Sequence, residues 1–202
     1  MTGSGRTAIV SGASRGIGLA VARALVADQY RVAMVARTEG DLRTHAASLG
    51  AGAVAIPCDL SDPAAVRRVA ERFAAALGGA PDVIVNNAGV FTLARVEETT
   101  PDEFREAIDV NLVAPFLLVR TFLPAMRQRG SGHIVTIGSV ADRVIYPENA
   151  AYSASKFGMR AVHEVMRAEL RGTGVRATLV SPGPVDTALW DDFDPDARPG
   201  FT

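Results

Sequence analysis

The chain has 202 residues, 48% of them hydrophobic and 21% charged, with a formal charge of -1. That length and composition suit one globular domain able to bury roughly 70% of its extended surface, and they exclude intrinsic disorder. Acidic and basic residues are interspersed, so no basic stripe argues for nucleic acid and no acidic tail argues for a basic partner.

Thr7-Ala8-Ile9-Val10-Ser11 is a short apolar run ended by glycine, as in a buried parallel strand. Gly12-Ala13-Ser14-Arg15-Gly16-Ile17-Gly18 follows, and Leu19 to Asp28 repeats apolar residues at helical spacing. Strand, glycine turn and helix make half of a βαβ unit, whose helix start can hold a pyrophosphate through backbone N–H groups and the macrodipole. The glycine spacing departs from G-x-G-x-x-G, and three glycines in a loop also suit a plain tight turn.

Arg31 to Ala36 is the second strand. An acidic residue at its end would bind the adenosine ribose, but the strand runs out as Val35-Ala36-Arg37. Arg37 and Arg15 together can embrace a 2′-phosphate, each charge-assisted bond contributing roughly 1.5–3 kcal/mol, or both are simply solvated. Asp41 to Leu49 reads as a helix and Ala53 to Pro57 as the third strand, leading to Cys58-Asp59-Leu60. Asp59 lies at a strand's carboxyl end, where it either touches the adenine or caps a helix starting near Ser61-Asp62-Pro63. Ala64 to Leu77 continues as an amphipathic helix.

Pro81 to Val85 is the fourth strand, ending in Asn86-Asn87-Ala88-Gly89, whose small residues let a ligand approach the backbone or make a turn. Thr100 caps the next helix, with Pro101 at its first position and Asp102 and Glu103 in its first turn. That helix runs to about Val110. Asn111 then interrupts an apolar segment, and Pro115 forbids a regular helix through that point unless a helix starts or kinks there; a break would free backbone groups for water, before the helix resumes to Arg129. His133 to Ile137 is the fifth strand, followed by Gly138-Ser139. Ser139 either bonds a substrate carbonyl or serves as a turn or cap residue. Ala150 to Arg171 is helical, Val175 to Ser181 is the sixth strand, and Pro182-Gly183-Pro184-Val185-Asp186-Thr187 leaves its end.

Within the sixth helix, Tyr152 and Lys156 are four residues apart and share one face. A free tyrosine titrates near pH ~10, so a proton transferable at neutrality asks for roughly 4 kcal/mol of help. One cation about 4 Å from the phenolate contributes about 4 kcal/mol at an effective dielectric of ~20. Spacing alone also fits a plain helix surface. Cys58 cannot form an internal disulfide, and neither it nor His45, His133 or His163 has a metal-ligand partner nearby, so no metal site is expected. No leader peptide is visible and no apolar run reads as long enough to span a bilayer, so a cytoplasmic protein with no membrane contact is the expectation. Six strands alternating with helices predict an α/β doubly wound, Rossmann-like parallel sheet within a single domain, residues 1–202.

On these residues the sequence resembles the short-chain dehydrogenase/reductase family, from about Thr7 to Thr187. The glycine turn, Asp59-Leu60, Asn86-Asn87-Ala88-Gly89, Asn111, Ser139, Tyr152, Lys156 and Pro182-Gly183 occur in the family's order and approximate spacing. The resemblance implies strand order 3-2-1-4-5-6 with a seventh strand outside the sixth. It implies hydride transfer between NADP(H) and a carbonyl or secondary alcohol, with Tyr152 as general acid/base. Lys156 would lower the tyrosine's pKa and hold the nicotinamide ribose. Ser139 would orient the carbonyl, and Asn111 would hold a water joining Lys156 to solvent. The implied cofactor residues are Gly12, Ser14, Arg15, Gly16, Ile17, Gly18, Arg37, Asp59, Leu60, Asn86, Ala88, Gly89, Tyr152, Lys156, Pro182, Gly183, Val185 and Thr187. A homodimer or homotetramer follows from family habit, often through the helices after the fourth and fifth strands.

Family members usually continue beyond the sixth strand through a substrate lid, a helix and a seventh strand. Here residues 188–202 read as the start of that lid, so the C-terminus is expected to be truncated and the sixth strand left with an open edge. Phe91, Arg95, Val140, Arg143, Val144, Tyr146 and Leu189 are expected to shape a mixed apolar and basic pocket. The rival readings are a non-catalytic NADP-binding sensor or scaffold on the same fold and a nucleotide-sugar epimerase or dehydratase, the latter lacking its usual C-terminal sugar domain.

Overall fold

A computed structural model describes residues 5–187. Six strands, β1 (Thr7–Ser11), β2 (Arg31–Ala36), β3 (Ala53–Pro57), β4 (Val83–Asn86), β5 (Gly132–Ile137) and β6 (Val175–Val180), form one sheet. Its order is β3-β2-β1-β4-β5-β6 and every pairing is parallel. This is the doubly wound sheet expected from the alternation of elements, in the strand order that the family resemblance implies. Strand β1 is buried at all five positions, as its uninterrupted apolar run requires of a strand covered on both faces.

Helices α1 (Gly16–Ala27) and α2 (Glu39–Ser48) cover one face, packing Ala22, Leu42 and Ala46 onto Val10, Val32 and Met34. On the other face lie α3 (Pro63–Leu77), α5 (Ala114–Arg129) and α6 (Ala150–Glu169). Phe73 of α3 meets Phe122 of α5 edge-on at 5.4 Å, and burial of each such ring contributes about 1.5–3 kcal/mol. Asp62, whose carboxylate accepts from Ala64 N–H at 2.7 Å, is the cap of α3. Asp59 instead folds back on Ser61, accepting from its N–H and hydroxyl, so the capping role falls three residues later than Asp59.

Helix α4 (Pro101–Ile108) opens with a full capping box, Thr100 and Glu103 bonding each other's backbone N–H. At Asn111 the regular helix is interrupted by a π-turn rather than by a full break. Asp109–Val113 form a π-turn, in which Ala114 N–H bonds the Asp109 carbonyl, and the helix passes through without stopping. Pro115 follows the π-turn directly, where the change of hydrogen-bond register accommodates its missing N–H. Fusion of α4, the π-turn and α5 gives a 29-residue run, Pro101–Arg129, long and apolar enough by length and composition to cross a membrane. The sequence reading expected no such run. Its Leu118, Val119, Phe122 and Met126 are buried in the core of the sheet's second face.

Among the described residues β6 is the edge strand, and Val180 at its end is exposed. The lid reading of residues 188–202, and Leu189 with it, lies outside the described residues.

Candidate active site

Strand order reverses between β1 and β4, and the loops that leave those strands part to form a crevice. A cavity of about 310 Å³ opens there. Its floor is the glycine turn. Gly12 has φ +66° and a Cβ added to it would lie 2.8 Å from the Ala88 Cα; one on Gly18 would lie 2.2 Å from the Gly12 carbonyl oxygen. Only hydrogen fits at either position. Helix α1 starts at Gly16 with no capping side chain and no acid in its first turn, leaving its first N–H groups to face the crevice.

The turn is fixed from β4. Asn87 Nδ2 donates to the carbonyls of Ser11 and Gly12 at 3.0 and 3.2 Å, while Ser11 Oγ accepts from the N–H groups of Asn87 and Ala88. Ser11 and the side chain of Asn87 are positioning residues that the sequence did not single out. A polar residue ending a buried strand, one step before the glycines, was the available signal. Asn86 is buried opposite Thr136 on β5.

Gly12, Arg15, Gly16, Ile17, Ala88, Gly89, Ser139, Tyr152, Lys156, Pro182, Gly183, Val185 and Thr187 all line the one cavity. Phe91, Val140 and Tyr146 line it too, whereas Arg95, Arg143 and Val144 do not. Ser14, Gly18, Arg37, Asp59, Leu60, Asn86 and Asn111 also lie outside its lining. Gly18 and Asn111 nonetheless shape it. Asn111, buried in the π-turn, accepts from Val90 N–H at 2.8 Å and donates to Val90 O at 2.9 Å and to Ser155 Oγ at 3.0 Å. The loop after β4 is thereby tied to α6. Arg37 is exposed and pairs with Glu106 of α4 at 3.5 Å, and it also helps hold the Asp59 carboxyl below its ordinary pKa, after the Ser61 hydrogen bonds.

Tyr152 stands on the first turn of α6, its ring met edge-on by Phe91 at 4.9 Å. Lys156 is one turn further on, buried, with Nζ 5.3 Å from the Tyr152 ring centroid and donating to Ile137 O at 3.2 Å. The titration behaviour differs from the sequence expectation. Burial is the largest influence on Tyr152 and pushes its phenol up; a hydrogen bond from Ser139 acts the other way, and Asp142 adds to the rise. Burial likewise brings the Lys156 ammonium down to about 8, against the pull of Asp142. The ammonium donates a hydrogen bond to a carbonyl and lies 5.3 Å from the ring centroid, and burial is the largest influence on the phenol.

The residues fit a dinucleotide. A glycine turn packed too tightly for side chains, an uncapped helix start beside Arg15, and small residues at Ala88 and Gly89 match a pyrophosphate and a close-lying sugar in shape and charge sign. Sheet and crevice together define the class, a Rossmann-like domain with a cavity at its topological switch point. Comparison with known proteins narrows this further: the profile of the short chain dehydrogenase family matches residues 6–198. The chain belongs to the short-chain dehydrogenase/reductase family.

Among its relatives is the ketoacyl reductase HetN of Nostoc sp., 38% identical over 183 residues, which cover 89% of this chain and 63% of that protein. A short chain dehydrogenase of Pseudocercospora fijiensis is 36% identical, covering 92% of this chain and 61% of the relative. The chain thus spans about three fifths of the length of these two relatives. The crystal structure of a metagenomic short-chain oxidoreductase in complex with NADP superposes with a TM-score of 0.83 at 41% identity, covering 89% of this chain and 83% of that one.

Proposed function

We propose that the chain is an NADP(H)-dependent oxidoreductase that interconverts a carbonyl and a secondary alcohol, with Tyr152 as the general acid/base. The observation that carries this reading is the convergence of Ser139, Tyr152 and Lys156 on the same cavity as the glycine turn and the loop Pro182–Thr187. Residues Gly12 to Gly18, Arg15 and Ala88–Gly89 would hold the pyrophosphate and adjoining sugar, Lys156 the nicotinamide ribose, and Val185 and Thr187 the carboxamide. When bound, the nicotinamide supplies or accepts the hydride at the substrate carbon.

Ser139 orients the substrate oxygen, and Tyr152 gives it a proton in reduction or takes one in oxidation. Burial keeps the phenol protonated at neutral pH, the state suited to the acid role in carbonyl reduction. Lys156 carries a positive charge below about pH 8 and faces the ring, so it stabilises phenolate character as the proton leaves. Asn111 fixes the Val90 backbone beside this group and, on family grounds, a water that links Lys156 to solvent. Arg37 and Arg15 favour NADP over NAD. Phe91, Val140 and Tyr146 give the substrate end an apolar wall. A homodimer or homotetramer is supported by exposed Phe104, Phe116 and Phe157 on α4, α5 and α6.

The test is Tyr152→Phe, assayed with NADPH against a panel of ketones, aldehydes, quinones and acyl-thioester ketones. General acid/base catalysis contributes typically 10²–10⁴-fold, so turnover should fall by at least ~100-fold while the NADPH dissociation constant stays within about twofold. Parent-like turnover in the variant would remove Tyr152 from the chemistry. A parent that binds NADPH yet turns over no member of the panel would favour a cofactor-binding sensor instead.

A further inference from the structure

Ser155 lies between Tyr152 and Lys156 on α6 and takes no part in the mechanism above. It is fully enclosed, and its hydroxyl is used twice: Oγ donates to the Tyr152 carbonyl at 2.7 Å and accepts from Asn111 Nδ2 at 3.0 Å. A hydroxyl has one proton, so the bond to Tyr152 leaves Ser155 only an acceptor toward Asn111. The Asn111 amide is then complete. Its other Nδ2 proton goes to the Val90 carbonyl, and Oδ1 accepts from the Val90 N–H, a two-point grip on the residue before Phe91.

These contacts close a circuit. It runs from the Tyr152 backbone through Ser155, Asn111 and Val90 to Phe91, whose ring meets the Tyr152 ring edge-on with centroids 4.9 Å apart. A Cβ on Gly89 would stand 3.3 Å from Asn111 Oδ1 and 3.8 Å from Lys156 Nζ, so amide, loop and ammonium share one small space. Further along α6, a Cβ on Gly158 would stand 2.9 Å from Leu112 Cδ2, so the bare glycine lets the π-turn come close. The π-turn and α6 thus meet at two points, a polar one at Ser155 and an apolar one at Gly158. A helical serine bonded back to its own helix is commonplace. Accepting a buried proton from another element is a different task, because without that acceptor the amide is left unpaired and the loop it grips relaxes to recover a partner.

We propose that Ser155 is a positioning residue for Tyr152: by accepting the second Asn111 proton it holds the loop after β4, with Phe91, against the Tyr152 ring and so fixes where the phenol stands in the cavity. This rests on the Tyr152-centred reading above and deepens it by naming what sets the acid/base in place.

Cofactor-free protein labelled with 13Cζ-tyrosine reads the ring without turnover. The chain has three tyrosines, and the Tyr152 signal is identified by its loss in Tyr152→Phe. In Ser155→Ala that signal should shift or broaden, while that of Tyr30, which precedes β2 at the opposite end of the sheet, stays in place. Turnover with NADPH should fall about tenfold, as a small misplacement of a reacting group does. Adding Ser155→Ala to Asn111→Ala should change turnover by less than about twofold further, since both act through one contact, whereas a purely helix-stabilising role would multiply the two losses. Ser155→Thr keeps a hydroxyl able to bond the same carbonyl and should restore both readings, which keeps the test open if Ser155→Ala does not fold. An unmoved Tyr152 signal or parent-like turnover in Ser155→Ala, multiplied losses in the double variant, or a threonine variant that behaves like the alanine one overturns the proposal. A parent that binds NADPH but turns over no substrate would instead overturn the functional reading, and the Tyr152 signal would still decide whether Ser155 places the ring.

Discussion

Replacing Arg37 with alanine should collapse any preference for NADP over NAD, and the size of the change can be worked from its surroundings. A guanidinium bonded to a 2′-phosphate contributes roughly 1.5–3 kcal/mol. Arg37 already pairs with Glu106 at 3.5 Å, but with side-chain exposures of 68% and 44% such a pair contributes at most about 1 kcal/mol. The net attraction is then about 0.5–3 kcal/mol, a factor of about 2 to 150 in the ratio of dissociation constants. Glu106→Gln should act in the opposite sense. Freeing the guanidinium and removing a nearby anion should tighten NADP by up to about fivefold, with NAD unchanged within twofold. Isothermal titration of NADP and NAD against the parent and both variants, at fixed ionic strength, measures all six constants. Equal affinities of the parent for the two cofactors, or an unchanged ratio in Arg37→Ala, would refute the reasoning.

Gly18→Ala would drive a methyl group to 2.2 Å from the Gly12 carbonyl oxygen and 2.4 Å from Asn87 Nδ2, against backbone that cannot yield cheaply. It should destabilise the fold by about 1–3 kcal/mol and weaken dinucleotide binding, read by thermal melting with and without NADPH. Stability should also fall in mild acid. His133 and His163 are both held below their ordinary pKa, chiefly by burial, so the unfolded chain takes up their protons first. The stability they contribute is complete above about pH 6.5, the unfolded value, and is lost as pH falls through their folded values. Urea midpoints measured from pH 7.5 down to 5 should therefore decline, and His163→Gln should flatten the decline. A flat parent profile contradicts the assignment.

The elements were legible because their signals are local. Strands β1, β2 and β3 have the same bounds in sequence and structure, since each is a short, largely apolar run set between turn residues, a signal contained within the run itself. Thr100 and Pro101 marked the start of α4 for the same reason, as cap chemistry lies within four residues. The π-turn at Asn111 was not legible. Proline and a polar residue in an apolar helix favour an irregularity there but do not say which kind, and the partner of the Asn111 side chain, the Val90 backbone, is 21 residues away in the chain. Asp142 was missed likewise, as its partners at Arg160 and Ser181 are 18 and 39 residues distant.

By itself, then, the amino-acid order settled which segments are strands and helices, that the glycine turn follows β1, and that Tyr152 and Lys156 share a helix face, because each depends on periodicity or on neighbours within one or two turns. Tertiary structure alone decided which charges meet. It turned Arg37 toward Glu106, enclosed Asp142 behind Ser139, and placed the Lys156 ammonium against the Ile137 carbonyl. Burial, which no linear reading contains, then governs the titration of both Tyr152 and Lys156, since removing water from a charged group outweighs a neighbour's charge unless the two are in direct contact.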